Sequence, residues 1–181
     1  MNMLFKTLVM ASLLLASASS QAWDPRELDK LAAGSKEAKA AMLEKDPSMQ
    51  RFFDTAAGWV IIPTVAKGGV GIGGARGKGL LYEKNEVVGI VTLTQLTVGF
   101  QWGGQAYSEF IFFQNADTLT NFKRGNYELG AQASAVAVTL GASADANYSS
   151  GVAVFTQAKG GLMYEATVGG QKFKVESTKS D

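Results

Sequence analysis

The chain has 181 residues, 17 basic and 16 acidic, with no cysteine and no histidine. Its near-neutral balance gives no global pull toward nucleic acid, and the missing residue types exclude disulfides, Ser-His-Asp or Cys-His catalysis and the commonest metal ligand. A carboxylate pair or an activated lysine remains available. Glu83, Glu86 and Asp145 are candidates by type, but each lies near Asn, Gly or Ser and reads as a solvated turn residue.

The first residues read as an export signal. Lys6 supplies a positive start, Leu8 to Ala18 an apolar run, and Ser20-Gln21-Ala22 a small-x-small cleavage site. The apolar run is shorter than the about 18–20 residues needed to span a bilayer. Cleavage after Ala22 leaves residues 23–181 as a single domain. Losing Lys6 leaves sixteen basic residues against sixteen acidic, so any electrostatic attraction must come from a local patch. The expected location is periplasmic or secreted, peripheral to a membrane.

Asp24-Pro25 is a helix start, with Asp as N-cap and Pro in the first turn. Leu28, Leu31, Ser35, Ala38 and Met42 then form one stripe of an amphipathic helix. Asp46-Pro47 repeats the signal, and Met49, Phe52, Phe53 and Ala56 form a second, more apolar stripe. Both helices are expected to pack on a sheet, unless one of them meets a membrane surface.

From Trp59 the chain reads as β. Seven glycines between Gly68 and Gly79 follow the apolar run Trp59-Val60-Ile61-Ile62-Pro63. Glycine weakens a strand, so this density implies curvature or close approach of backbones. Gly69-Val70-Gly71-Ile72-Gly73-Gly74 fits the dinucleotide pattern, but Arg76-Gly77-Lys78-Gly79 is too glycine-rich to open the required helix. Lys67, Arg76 and Lys78 are instead candidates for a small anion site, as for a headgroup phosphate. Ile90, Thr92, Thr94, Leu96, Val98, Phe100 and Trp102 alternate with Val91, Leu93, Gln95, Thr97, Gly99 and Gln101. The bulkier first set is expected to face the packed side.

Tyr107 to Phe113 is another apolar strand, and Asn115 to Gly125 a short helix with Leu119 and Phe122 inward. Tyr127 to Leu140 alternates again, with Ala and Ser. Val152–Thr156, Leu162–Val168 and Lys172–Glu176 are closing strands, with Gly169-Gly170 as a two-residue turn. Ala66-Lys67-Gly68-Gly69 returns as Ala158-Lys159-Gly160-Gly161, two similar turns that each carry a lysine. Two leading helices and a polar C-terminal end argue against an outer-membrane barrel.

Four blocks occur in order: Ile62-Pro63-Thr64-Val65-Ala66-Lys67-Gly68-Gly69, Gly73 to Leu81, Val98 to Gln105, and Lys159-Gly160-Gly161-Leu162-Met163. Together they resemble the SYLF-domain family, over about Leu28 to Val175. The resemblance implies a lipid-binding module with neither catalysis nor a cofactor. Its partner would be phospholipid or a membrane surface, not nucleic acid. Bacterial relatives are exported, and many carry a lipoprotein cysteine that this chain lacks. Actin binding, known for fungal relatives, is not carried over, because export removes the chain from actin. Animal relatives implicate an amphipathic N-terminal segment, which matches Asp24 to Met42 with Lys30, Lys36 and Lys39.

The expected fold is α+β, with N-terminal helices packed on a curved, mostly antiparallel β-sheet or open barrel. Lys67, Arg76, Lys78 and Lys159 are the candidate headgroup residues, and Phe100 and Trp102 the candidate acyl-chain contacts. The alternative is an envelope scaffold that self-associates through sheet edges. A hydrolase would instead need converging acids such as Asp145, Glu109 or Glu165.

Overall fold

The computed structural model describes residues 24–99, 104–130, 133–142, 146–160 and 168–178. Helix α1 spans Pro25–Lys45, its N-terminus capped by Asp24, whose carboxylate accepts from the Arg26 amide at 3.0 Å. It ends at Asp46, which is extended as residues before proline tend to be. Asp46 then caps a 3₁₀ turn, Pro47–Met49, that leads into the short helix α2, Gln50–Thr55. Ser35, Ala38, Met42, Met49, Phe52 and Phe53 are buried, so both stripes read from the sequence face protein.

Seven strands form one sheet: β1 Gly58–Glu83, β2 Glu86–Gly99, β3 Gln105–Phe113, β4 Tyr127–Glu128, β5 Val136–Ala137, β6 Val152–Ala158 and β7 Lys172–Ser177. The spatial order is β4-β7-β2-β1-β3-β6-β5, antiparallel except for β5 beside β6. The sheet curls into a half-barrel, confirming the α+β expectation. Helix α3, Ala116–Lys123, starts at Asn115, whose side chain accepts from the Thr118 amide.

The 26-residue β1 doubles back on itself. Its first half pairs with β3 and its second with β2. A side chain at Gly58 would meet the Tyr82 carbonyl at 2.7 Å, one at Gly79 would run into the Ile61 carbonyl, and one at Gly77 would reach Thr64 at 3.0 Å. The separation in sequence shrinks steadily along these pairs, which marks an antiparallel return. Counting the two arms separately gives eight strands. The glycine density is thus explained by close approach of the arms.

Much of both faces of the sheet is covered. Val60, Ile62, Val65, Val91, Leu93, Ile111, Phe113 and Val154 form the inner core, closed by Leu119 and Phe122 of α3. Trp59, Ile61, Phe110, Phe112 and Phe155 face outward and pack on Met42, Phe52 and Phe53. Phe52, Phe53, Phe112 and Phe155 form a network of tilted and edge-on rings with centroids 4.8–5.8 Å apart.

Two strand expectations need correction. In β2 the core side is Val91, Leu93 and Gln95, whereas Thr94 and Leu96 are exposed. The assignment of faces from bulk therefore inverts beyond Ile90. The inner side is where curvature brings backbones together, and β2 meets Ala75, Gly77 and Gly79 there. The stretch Tyr127 to Leu140 is not one strand. It holds only β4 and β5, two residues each, because Ala, Ser and Gly supply little side chain to fix a register. Most of the strand expected at Leu162–Val168 lies outside the described residues. Gly170, at φ +75°, does turn the chain into β7.

Candidate functional site

One end of the half-barrel collects most of the basic residues singled out in the sequence. Lys67 ends the first arm of β1 and pairs with Gln105, while the Lys159 amide donates to the Ala106 carbonyl at 2.9 Å. The two echoed turns therefore flank the start of β3 from opposite sides. The Lys159 ammonium donates to the Thr64 hydroxyl at 3.0 Å. Arg76 lies on the second arm of β1, opposite Thr94, and is exposed.

Charge is segregated along the chain as well as in space. No Asp or Glu occurs from Thr64 to Tyr82 or from Val87 to Ser108. Lys67 is half-buried with no acidic partner among the described residues, and burial pulls its ammonium below the usual lysine range. Lys78 stands apart from this group. Its ammonium pairs with Glu27 in the first turn of α1 at 2.5 Å, so its charge is already compensated. On β4, Glu128 faces Lys172 of β7 at 3.8 Å. Phe100 and Trp102 lie outside the described residues.

Helix α1 has its apolar stripe against β1. Gly34 lies so close to Pro63 that an added Cβ would sit 3.0 Å from it. Lys39 rests over the Phe53 ring, 4.0 Å from its centroid, while Lys30 and Lys36 are exposed. The helix that the family resemblance implicates in lipid contact is therefore packed as a structural element here.

A second polar group lies inside the half-barrel. Pro63 has no N–H, and at Pro63-Thr64 the register of β1 against β3 slips, forming a bulge. The Ser108 hydroxyl donates to the Pro63 carbonyl at 2.8 Å. On the inner side, Glu109 is completely buried beside Tyr107, and Gln171 donates to its carboxylate at 3.0 Å. Burial raises the Glu109 carboxyl to about 8, although the Gln171 hydrogen bond opposes the shift. Burial, with the Glu109 charge second, also raises the Tyr107 phenol. The sequence marked Glu109 only as a generic acid. What it could have shown is an acid in the apolar run Tyr107 to Phe113, at a position sharing the inner face with Ile111 and Phe113.

Among the described residues this group holds a single carboxylate, Glu109. Glu109 is hydrogen-bonded by an amide rather than a second carboxylate, and Asp145 and Glu165 lie outside the described residues. Among the described residues, no three acids cluster closely enough to hold a metal ion. Glu83 instead pairs with Lys123 at 2.7 Å. A separate cleft of about 420 Å³ lies beside β6, lined by Tyr127, Leu129, Val136, Val152 and Val154 among others, with no charged side chain among its described lining residues. It does not join the basic end.

Comparison with curated proteins finds no match. A family model does match residues 94–180, which carry the last six residues of β2, all of β3 to β7 and α3. Its description is Ysc84: Las17-binding protein actin regulator. Residues 94–180 include two of the four blocks that suggested the resemblance, Val98 to Gln105 and Lys159 to Met163, and the match is consistent with a SYLF-domain family protein.

Proposed function

We propose that this chain is an exported, non-enzymatic lipid-binding module that meets an anionic membrane surface with the end of the half-barrel carrying Lys67, Arg76 and Lys159. The observation that carries this reading is the placement of these cations toward one end of the sheet, in or beside stretches of strand that contain no acid. Each Lys or Arg near an anionic surface adds about 1 kcal/mol. Three such residues would orient the protein and raise its affinity about 100-fold, but would not anchor it permanently.

The family description names Las17 binding and actin regulation. We do not transfer these to the chain, since a protein exported by the signal at residues 1–22 would not meet a cytosolic filament. The scaffold alternative needs an open sheet edge. Among the described residues the sheet ends at the two-residue β4 and β5, which leave residues 174–176 of β7 and much of β6 without a neighbouring strand on that side; the lysine and glutamate side chains along β7 are the kind that blunt edge-to-edge pairing.

Co-sedimentation with phosphatidylcholine vesicles, with and without phosphatidylglycerol, tests the reading at low and high salt. Binding should require the anionic lipid and weaken as salt screens it. Equal binding to both vesicles, unchanged by salt, would sink the role of the basic end.

A further inference from the structure

Exposed large apolar side chains are rare among the described residues: they are Ile72, Leu96 and Leu140, at 74%, 88% and 83% exposure. Their placement is not scattered. Gly74 of β1 pairs with Leu96 of β2 and Ile72 with Val98, so Ile72 and Leu96 stand on the same face, two residues apart across one ladder. Arg76 and Thr94 continue that face. Leu140 follows β5, which runs parallel to β6 and so heads toward Lys159, at the same end of the half-barrel.

This face is covered elsewhere and bare here. Further down, α1 and α2 lie on it, and the first turn of α1 reaches it at Lys78 through Glu27. Beyond Lys78 no described element covers Arg76, Ile72, Thr94 or Leu96. A face that buries aromatic rings at one end and exposes two aliphatic side chains at the other calls for an occupant.

We infer that Ile72 and Leu96 form an apolar wedge that inserts into the outer layer of an anionic lipid surface, while Arg76, with Lys67 and Lys159 toward the same end of the sheet, holds the headgroups around it. The inference rests on the lipid-binding reading and adds the part of the molecule that enters the bilayer. Charge complementarity selects the occupant. The patch is bordered by cations, and its strands hold no acid from Thr64 to Tyr82 or from Val87 onward, which suits phosphate headgroups over an apolar layer. A second copy would bring the same cations against themselves. Two side chains also fall well short of the about 800 Å² per partner of a stable interface. The residues are small enough to enter the headgroup and upper acyl region without demanding a spanning element, and no described helix is long and apolar enough to cross a membrane.

The chain has no cysteine, so a single introduced thiol can carry an environment-sensitive dye. Leu96→Cys and Gln114→Cys would each be labelled. Gln114 is an exposed residue after β3, at the opposite end. Adding phosphatidylglycerol vesicles should shift the Leu96 dye to the blue and leave the Gln114 dye unchanged. The double variant Ile72→Ser, Leu96→Ser should bind the same vesicles about 100-fold more weakly, at about 10-fold per side chain, with an unaltered unfolding transition. Co-sedimentation without a Leu96 shift overturns the wedge and leaves the lipid-binding reading standing. Failure of the unsubstituted protein to co-sediment overturns both. A blue shift that grows with protein concentration before any vesicle is added assigns the patch to a second copy and also overturns the wedge.

Discussion

Replacing Glu109 by glutamine should remove most of the alkaline weakness of this fold. The folded state holds the carboxyl at about 8, against an ordinary 4.5, because its surroundings are apolar and fully closed to solvent. Below pH 4.5 the group is protonated in both states and contributes nothing. Between 4.5 and 8 the unfolded chain releases the proton while the folded chain keeps it, so stability falls as pH rises through this window. Above 8 both states are ionised and the loss is complete. At about 1.4 kcal/mol per pH unit, the full loss is about 3–5 kcal/mol. Glutamine keeps the shape and an acceptor for Gln171, and it cannot ionise. Urea unfolding followed by Trp59 fluorescence at pH 5, 6.5 and 8.5 gives the comparison. With a slope of about 2 kcal/mol per molar, the midpoint of the parent protein should drop by roughly 1.5–2.5 M over this range. The midpoint of Glu109→Gln should move far less. Equal pH dependence in the two proteins would refute the claim that Glu109 is buried as a neutral acid.

Glycine substitutions should separate crowding from mere glycine content. Gly79→Ala should destabilise by more than about 3 kcal/mol, since its methyl would meet the rigid Ile61 backbone, whereas Gly104→Ala, with open space around the added atom, should stay within about 1 kcal/mol in thermal unfolding. Asn115→Ala should cost about 1 kcal/mol by removing the cap of α3, measured by denaturant unfolding. Arg76→Ala and Lys159→Ala should each weaken binding to phosphatidylglycerol vesicles about 5-fold at low salt and have little effect at high salt. Lys78→Ala should change it less, because Glu27 already neutralises that charge.

The helices were legible because their signals are local. Asp24-Pro25, Asp46-Pro47 and Asn115 act within one turn of themselves, and the structure places caps at all three. The strand Tyr107–Phe113 was legible as a continuous apolar run, since both of its faces are buried. Faces of β2 were not legible. Alternation separates two sets of side chains but does not say which set points inward, and here the inner side is fixed by how sharply the neighbouring strands curve. The role of Glu109 was hidden for a related reason, as burial depends on what the rest of the sheet brings around it. Lys67, Arg76 and Lys159 were singled out by glycine context alone. Their grouping at one end, and the separation of Lys78 from them, depend on pairings across as many as 95 residues.

By itself the sequence determined the residue chemistry, the cap positions, the strand-forming runs and the family blocks, because these are set by residue type and short spacing. Tertiary structure alone decided that β1 folds back into two arms, that α1 uses its apolar stripe against the sheet, and that Ile72 and Leu96 stand uncovered beside the cations. Those outcomes follow from long-range pairing and curvature, which place residues by what they meet across the sheet and not by their neighbours in the chain.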